Sequence, residues 1–92
     1  MHCKKQRKKM NLEIIQEIFS LPIEEEVGTM RTLSILNKYS TPKLLMDEKF
    51  NLVYKVPLDD IVKSDISTDE LIEIHQGGWK IDIETHFLFK FY

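Results

Sequence analysis

Residues 67–92 read STDELIEIHQGGWKIDIETHFLFKFY, and this stretch decides the fold. Ser67 and Glu70 have the spacing of a capping box, in which the serine hydroxyl accepts from the amide three residues on and the glutamate reaches back to the serine amide. A helix starts there. Leu71, Ile72, Ile74 and His75 continue it, and Gly77-Gly78 supplies the left-handed residue that commonly ends a helix, so the span is 68–76. Past the glycines the period falls to two. Trp79, Ile81 and Ile83 alternate with Lys80, Asp82 and Glu84, and Phe87, Phe89 and Phe91 alternate with Leu88, Lys90 and Tyr92. These are two strands joined by a tight turn, or one long bent strand. No Asn-Gly or Asp-Gly pair fixes the turn type.

Working back toward the N-terminus, Phe50, Leu52, Tyr54 and Val56 alternate with Asn51 and Lys55, with Val53 breaking the polar face, giving a strand that Pro57 and Asp59-Asp60 close. Ile61, Val62 and Ile66 then lie in a connection that packs on the core. Thr41-Pro42 offers a cap followed by a proline suited to the first helical position, which predicts a short helix over Lys43 to Glu48. Between Pro22 and Tyr39 the preferred reading is an amphipathic helix. Ile23, Val27, Met30, Leu33 or Ser34, and Tyr39 would form its apolar face, and Glu24, Glu25 and Glu26 its acidic first turn. The competing reading ends a single turn at Gly28 and runs an extended segment over Thr29 to Leu36. Met10, Leu12, Ile14, Ile15, Ile18, Phe19 and Leu21 lay an apolar stripe at helical spacing, so residues 10–19 form the first helix and Pro22 marks its break.

The order is thus an α+β one: two or three N-terminal helices packed on a small antiparallel sheet of about three strands, with the 68–76 helix between strands one and two. The predicted core is Leu12, Ile15, Ile18, Met30, Leu33, Phe50, Leu52, Tyr54, Leu71, Trp79, Ile81, Phe87 and Phe89. At 92 residues there is room for one domain, 10–92, preceded by an arm, 1–9.

Charge divides along the same line. Lys4, Lys5, Arg7, Lys8 and Lys9 give the arm +5 with no acid among them, and the remaining eight basic residues against fifteen acids leave −7 on residues 10–92. Such an arm can hold phosphate backbones by displacing their counterions, or meet anionic lipid or an acidic protein surface; it can equally be a solvated tail. No aromatic residue is interleaved with its lysines, so it offers no platform for stacking single-stranded bases. A helix-turn-helix reading also fails, because β pattern rather than a basic recognition helix follows residue 48.

The chemistry-bearing residues are few. His75 and His86 are eleven positions apart and His2 lies in the arm, which is not the paired spacing of a zinc site, even with Asp82 and Glu84 nearby. His75 reads as a partner for a helix C-terminus. The serines sit in cap and turn contexts, and the only glycine pair closes a helix where phosphate-cradling loops precede one. Glu24-Glu25-Glu26 and Asp59-Asp60 read as solvated faces. Cys3 stands alone beside Lys4 and Lys5, which favours its thiolate and fits a reducing compartment. Apolar runs of two or three residues, such as Leu44-Leu45-Met46, fall far short of the ~20 needed to cross a bilayer, and Asn11, Glu13, Gln16 and Glu17 interrupt any signal-peptide core.

The expectation is a cytoplasmic, non-enzymatic interaction or assembly subunit with no cofactor, metal or small-molecule substrate. It would act through a protein partner or self-association at its C-terminal strand, with Leu88, Lys90 and Tyr92 outward and Phe87, Phe89 and Phe91 inward. The contrary arrangement has a helix covering that outer face. The alternative function is a nucleic-acid-associated accessory protein gripping phosphates through Lys4, Lys5, Arg7, Lys8 and Lys9. Assembly subunits and small acidic inhibitors of phage or mobile elements share this size and charge, which admits a virion location as an analogy of class.

Overall fold

The computed structural model describes residues 11–24 and 26–92. Asn11 caps the first helix, α1 (Leu12–Phe19), by accepting from the Ile14 amide at 3.0 Å, and Ser20 ends it by turning its hydroxyl back to the Glu17 carbonyl. Ile15 and Ile18 point inward.

Residues 22–24 and 26–28 are in neither helix nor strand, where the sequence predicts a helix. Polar groups along this part of the chain are taken by the end of a distant helix: the Val27 amide donates to the Gln76 carbonyl, the Glu24 amide to Gln76 Oε1, and His75 Nε2 meets the Leu21 carbonyl at 2.6 Å. Helix α2 therefore starts only at Thr29 and runs to Asn37, with Gly28 in extended conformation before it. Losing the first turn also changes the buried face. Thr32, Ile35 and Leu36 are buried, whereas Ile23 and Met30, the latter 79% exposed, are not.

Residues 43–46 form a strand, β1 (Lys43–Met46), and not the predicted short helix. The reason lies downstream. Asp47 Oδ1 accepts from the amides of Lys49 and Asn51, and Phe50 adopts a positive φ of 64°, so the chain reverses tightly and β1 pairs antiparallel with β2 (Leu52–Pro57). Pairing supplies β1's hydrogen bonds, which a six-residue isolated helix could not stabilise as well. The predicted strand at 50–56 is β2, shifted by two residues at its start.

Pro57 ends β2 and precedes a short helix, α3 (Leu58–Lys63), whose Asp59, Asp60 and Lys63 match the polarity of the helix dipole. Helix α4 (Thr68–Gln76) begins with both halves of the capping box in place, and Gly78 after it sits at φ +91°, where a side chain would be strained. Two strands follow, β3 (Lys80–Asp82) and β4 (Phe87–Phe91). Asp82 Oδ1 organises the turn between them by accepting from the amides of Glu84 and Thr85.

Among the described residues the fold is α+β, with four helices and a four-stranded antiparallel sheet in the order β1-β2-β4-β3. The core lies between helices and sheet. Ile15, Ile18, Ile35, Leu36, Leu58, Ile61, Ile66, Leu71, Ile74 and Trp79 from the helical layer and loops meet Val56 and Leu88 from the sheet. No described helix is long and apolar enough to cross a membrane.

Candidate functional site

Strand register assigns every sheet residue to a face. Lys43, Lys55, Phe89 and Lys80 form one cross-strand row, Leu45, Val53 and Phe91 a second, and Pro57, Phe87 and Asp82 a third. The opposite face carries Tyr54, Val56, Leu88 and Ile81, which are the sheet residues packed in or against the core. All the core-forming helices lie on that side, so the phenylalanine face has no helix over it among the described residues.

This reverses the predicted orientation of the last strand. Leu88 is fully buried, Lys90 is half-buried beside Gly78, and Tyr92 is 78% exposed at the strand end, where its ring meets Tyr54. Phe87 and Phe89 are half-buried and Phe91 is 53% exposed, on the uncovered side. Leu88, expected outward, thus cannot reach a partner. Both faces of the HFLFKFY segment are apolar in sequence, so alternation alone does not say which one the helices cover; the register of Leu88 with Val56 and Ile81 does. The arm residues Lys4, Lys5, Arg7, Lys8 and Lys9 lie outside the described residues.

The uncovered face is continuous. Two depressions of about 550 and 180 Å³ share Lys55 and Phe87, and together extend from Leu45 on the outer strand to Phe91. Its aromatic rings pack on one another: Phe89 and Phe91 stand edge to face at 84°, and Lys55 Nζ lies 5.2 Å from the Phe87 centroid. It carries charges of both signs. Lys43, Lys55 and Lys80 occupy one row, with Lys43 directly opposite Lys55, a like-charge pairing that is unfavourable in an isolated sheet. Asp47, Asp60 and Asp82 are the acids that line it. The amide of Asn51 holds the Asp47 carboxyl below the usual range, and the Thr85 side chain, then its amide, does the same for Asp82.

Elsewhere the titratable groups have structural roles. Burial pushes the Glu70 carboxyl up, but hydrogen bonds from Lys38, Tyr39 and the Ser67 amide outweigh it and bring the group down to about 2. The same contact raises the Tyr39 hydroxyl to about 12. Arg31 and Glu73 form a two-point ion pair on the surface between α2 and α4. His75 is buried against Phe19, not exposed at the helix end, and its Nδ1 has no partner among the described residues. His86 lies next to Asp59 at 3.3 Å, and no group of three or more His, Cys, Asp or Glu among the described residues is arranged to hold a metal ion.

Compared with protein-family models, curated proteins and solved structures, the chain matches none.

Proposed function

We propose that this is a non-enzymatic interaction protein that docks a partner protein on the uncovered face of its sheet, centred on Phe87, Phe89 and Phe91 of the C-terminal strand. The observation that carries the reading is the one-sidedness of the fold: every core-forming helix packs on the Leu88 face, and the opposite face presents a connected apolar surface. Lys43, Lys55 and Lys80 stand there with Asp47, Asp60 and Asp82, which suits a partner with an apolar centre and charged side chains of both signs around it. Base stacking fits less well. Lys55 and the edge-to-face arrangement occupy the ring faces that single-stranded bases would use. Against catalysis stands the fact that the displaced carboxyls and Tyr39 each have a cap, turn or interhelix contact as their cause.

The test is affinity purification of the full chain from its native host, with wild type compared against Phe89→Asp and Phe91→Asp. One defined protein should accompany wild type, disappear with either substitution, and persist when Lys4, Lys5, Arg7, Lys8 and Lys9 are replaced by Gln. Unchanged recovery from the two aspartate variants would refute the reading. Recovery of nucleic acid that depends only on the arm would establish the alternative.

A further inference from the structure

β1 is an outer strand that is exposed along its whole length, and Met46 reaches 60% exposure. Its outward edge has no paired strand among the described residues. Natural edges are usually blunted by charge, proline or a bulge, because unpaired amides and carbonyls recruit other strands. Here three of the four residues are Leu44, Leu45 and Met46, and Lys43 is the only charge. The opposite edge, β3, is shorter and packs against α1.

The hydrogen-bond direction along β1 can be read from its end. The Asp47 amide donates to the Asn51 carbonyl, so Asp47 faces β2, and alternation turns Lys43 and Leu45 the same way. On the far side of β2, the Tyr92 amide donates to the Leu52 carbonyl, which agrees with this phase. Leu44 and Met46 therefore direct their backbone groups out of the sheet. Any antiparallel partner strand must meet those two residues.

We infer that the occupant of this edge is a second copy of the chain, paired antiparallel with Leu45 opposite Leu45. Three twofold registers satisfy the outward groups, and the residues distinguish them. Pairing Leu44 with Leu44 sets Met46 against Pro42, which has no amide to give. Pairing Met46 with Met46 sets Lys43 against Lys49, placing like charges together. Pairing Leu44 with Met46 uses the outward groups of both copies and sets Lys43 directly opposite Asp47. These two side chains share the uncovered face, and the two backbone amides of the Asp47 turn both go to Oδ1. The like-charge contact of Lys43 with Lys55 then gains a carboxylate from the second copy, once on each side of the twofold axis. The product is a single sheet of eight strands whose phenylalanine faces adjoin. Because the inference concerns the edge and not the face, either can fail without the other.

The test begins with the mass of the full chain in solution across the micromolar range, which should report a dimer. Leu44→Pro removes an outward amide and leaves the bonds to β2 in place, so it should weaken dimerisation at least about tenfold. Cysteine pairing then reads the register independently of that variant's folding. In a Cys3→Ser background, Leu45→Cys should form an intermolecular disulfide on mild oxidation, because identical residues then face each other as a non-hydrogen-bonded pair with adjacent side chains. Leu44→Cys and Met46→Cys should not. A monomer throughout the range, a folded Leu44→Pro variant that dimerises like wild type, or cross-linking at 44 or 46 in preference to 45 would each overturn the inference.

Discussion

The indole Nε1 of Trp79 donates to Thr32 Oγ1 at 2.9 Å inside the core, with both side chains closed off from solvent. The Thr32 hydroxyl itself donates to the Thr29 carbonyl at 2.9 Å, so one hydroxyl serves α2 and the residue that leads into β3. This contact spans 47 positions, and it explains why a threonine occupies the buried face of α2 while Met30 points to water. A polar indole group in the interior needs a partner, and that need sets the rotation of the helix.

Thr32→Val keeps the shape and deletes the acceptor. The indole N–H is left buried without a partner, so unfolding in urea should show a loss of about 1–3 kcal/mol. Thr32→Ser keeps the hydroxyl and should lose less.

Gly77 is held to its identity by space. A Cβ there would lie 2.4 Å from Thr32 Cγ2, although the backbone φ of −82° is open to any residue. Gly77→Ala should cost about 1–3 kcal/mol by overpacking. In a Thr32→Ser background the clashing methyl is gone, and the double variant should recover about 1 kcal/mol relative to the sum of the singles, measured as a double-mutant cycle.

Glu70 makes folding sensitive to acid. Its folded value of about 2 lies below the ordinary 4.5, so the unfolded chain takes up the proton first as pH falls. Its contribution is complete above the unfolded value and is lost as pH drops from about 4.5 through 2, roughly 1–3 kcal/mol in total. Urea midpoints measured over that window should fall steeply for wild type, and less so for Glu70→Gln, which starts lower. For Tyr39 the sign is opposite: the hydroxyl is raised from 10.0 to about 12, so its contribution persists to pH 10 and is lost through 12, and Tyr39→Phe should remove that alkaline dependence.

Positions on opposite faces of β4 should respond to different degrees. Leu88→Ala should cost about 2–5 kcal/mol as a buried truncation, while Phe91→Asp, at an exposed position, should move stability by less than about 1 kcal/mol. Thermal unfolding followed by circular dichroism separates them. The reverse ranking would mean that the covered face is the phenylalanine one.

Where the physics was local, the sequence carried it. The Ser67–Glu70 capping box acts between residues three apart, so its spacing announces α4 directly, and the Gly77-Gly78 end and the alternation of β2 and β4 are equally self-contained. The stripe of α1 is legible for the same reason, and Ile15 and Ile18 are in the core it predicts. What the tertiary structure alone decided is where a segment's backbone groups find partners and which of two apolar faces is covered. Residues 22–24 and 26–28 stay out of helix because the end of α4 takes the hydrogen bonds of Glu24 and Val27, and 43–46 form a strand because Asp47 folds them back on β2. Leu88 is inside and Phe91 outside because the helices pack on one side of a strand that is hydrophobic on both. Period-two alternation fixes that faces differ; only burial against a distant element fixes which of them meets water.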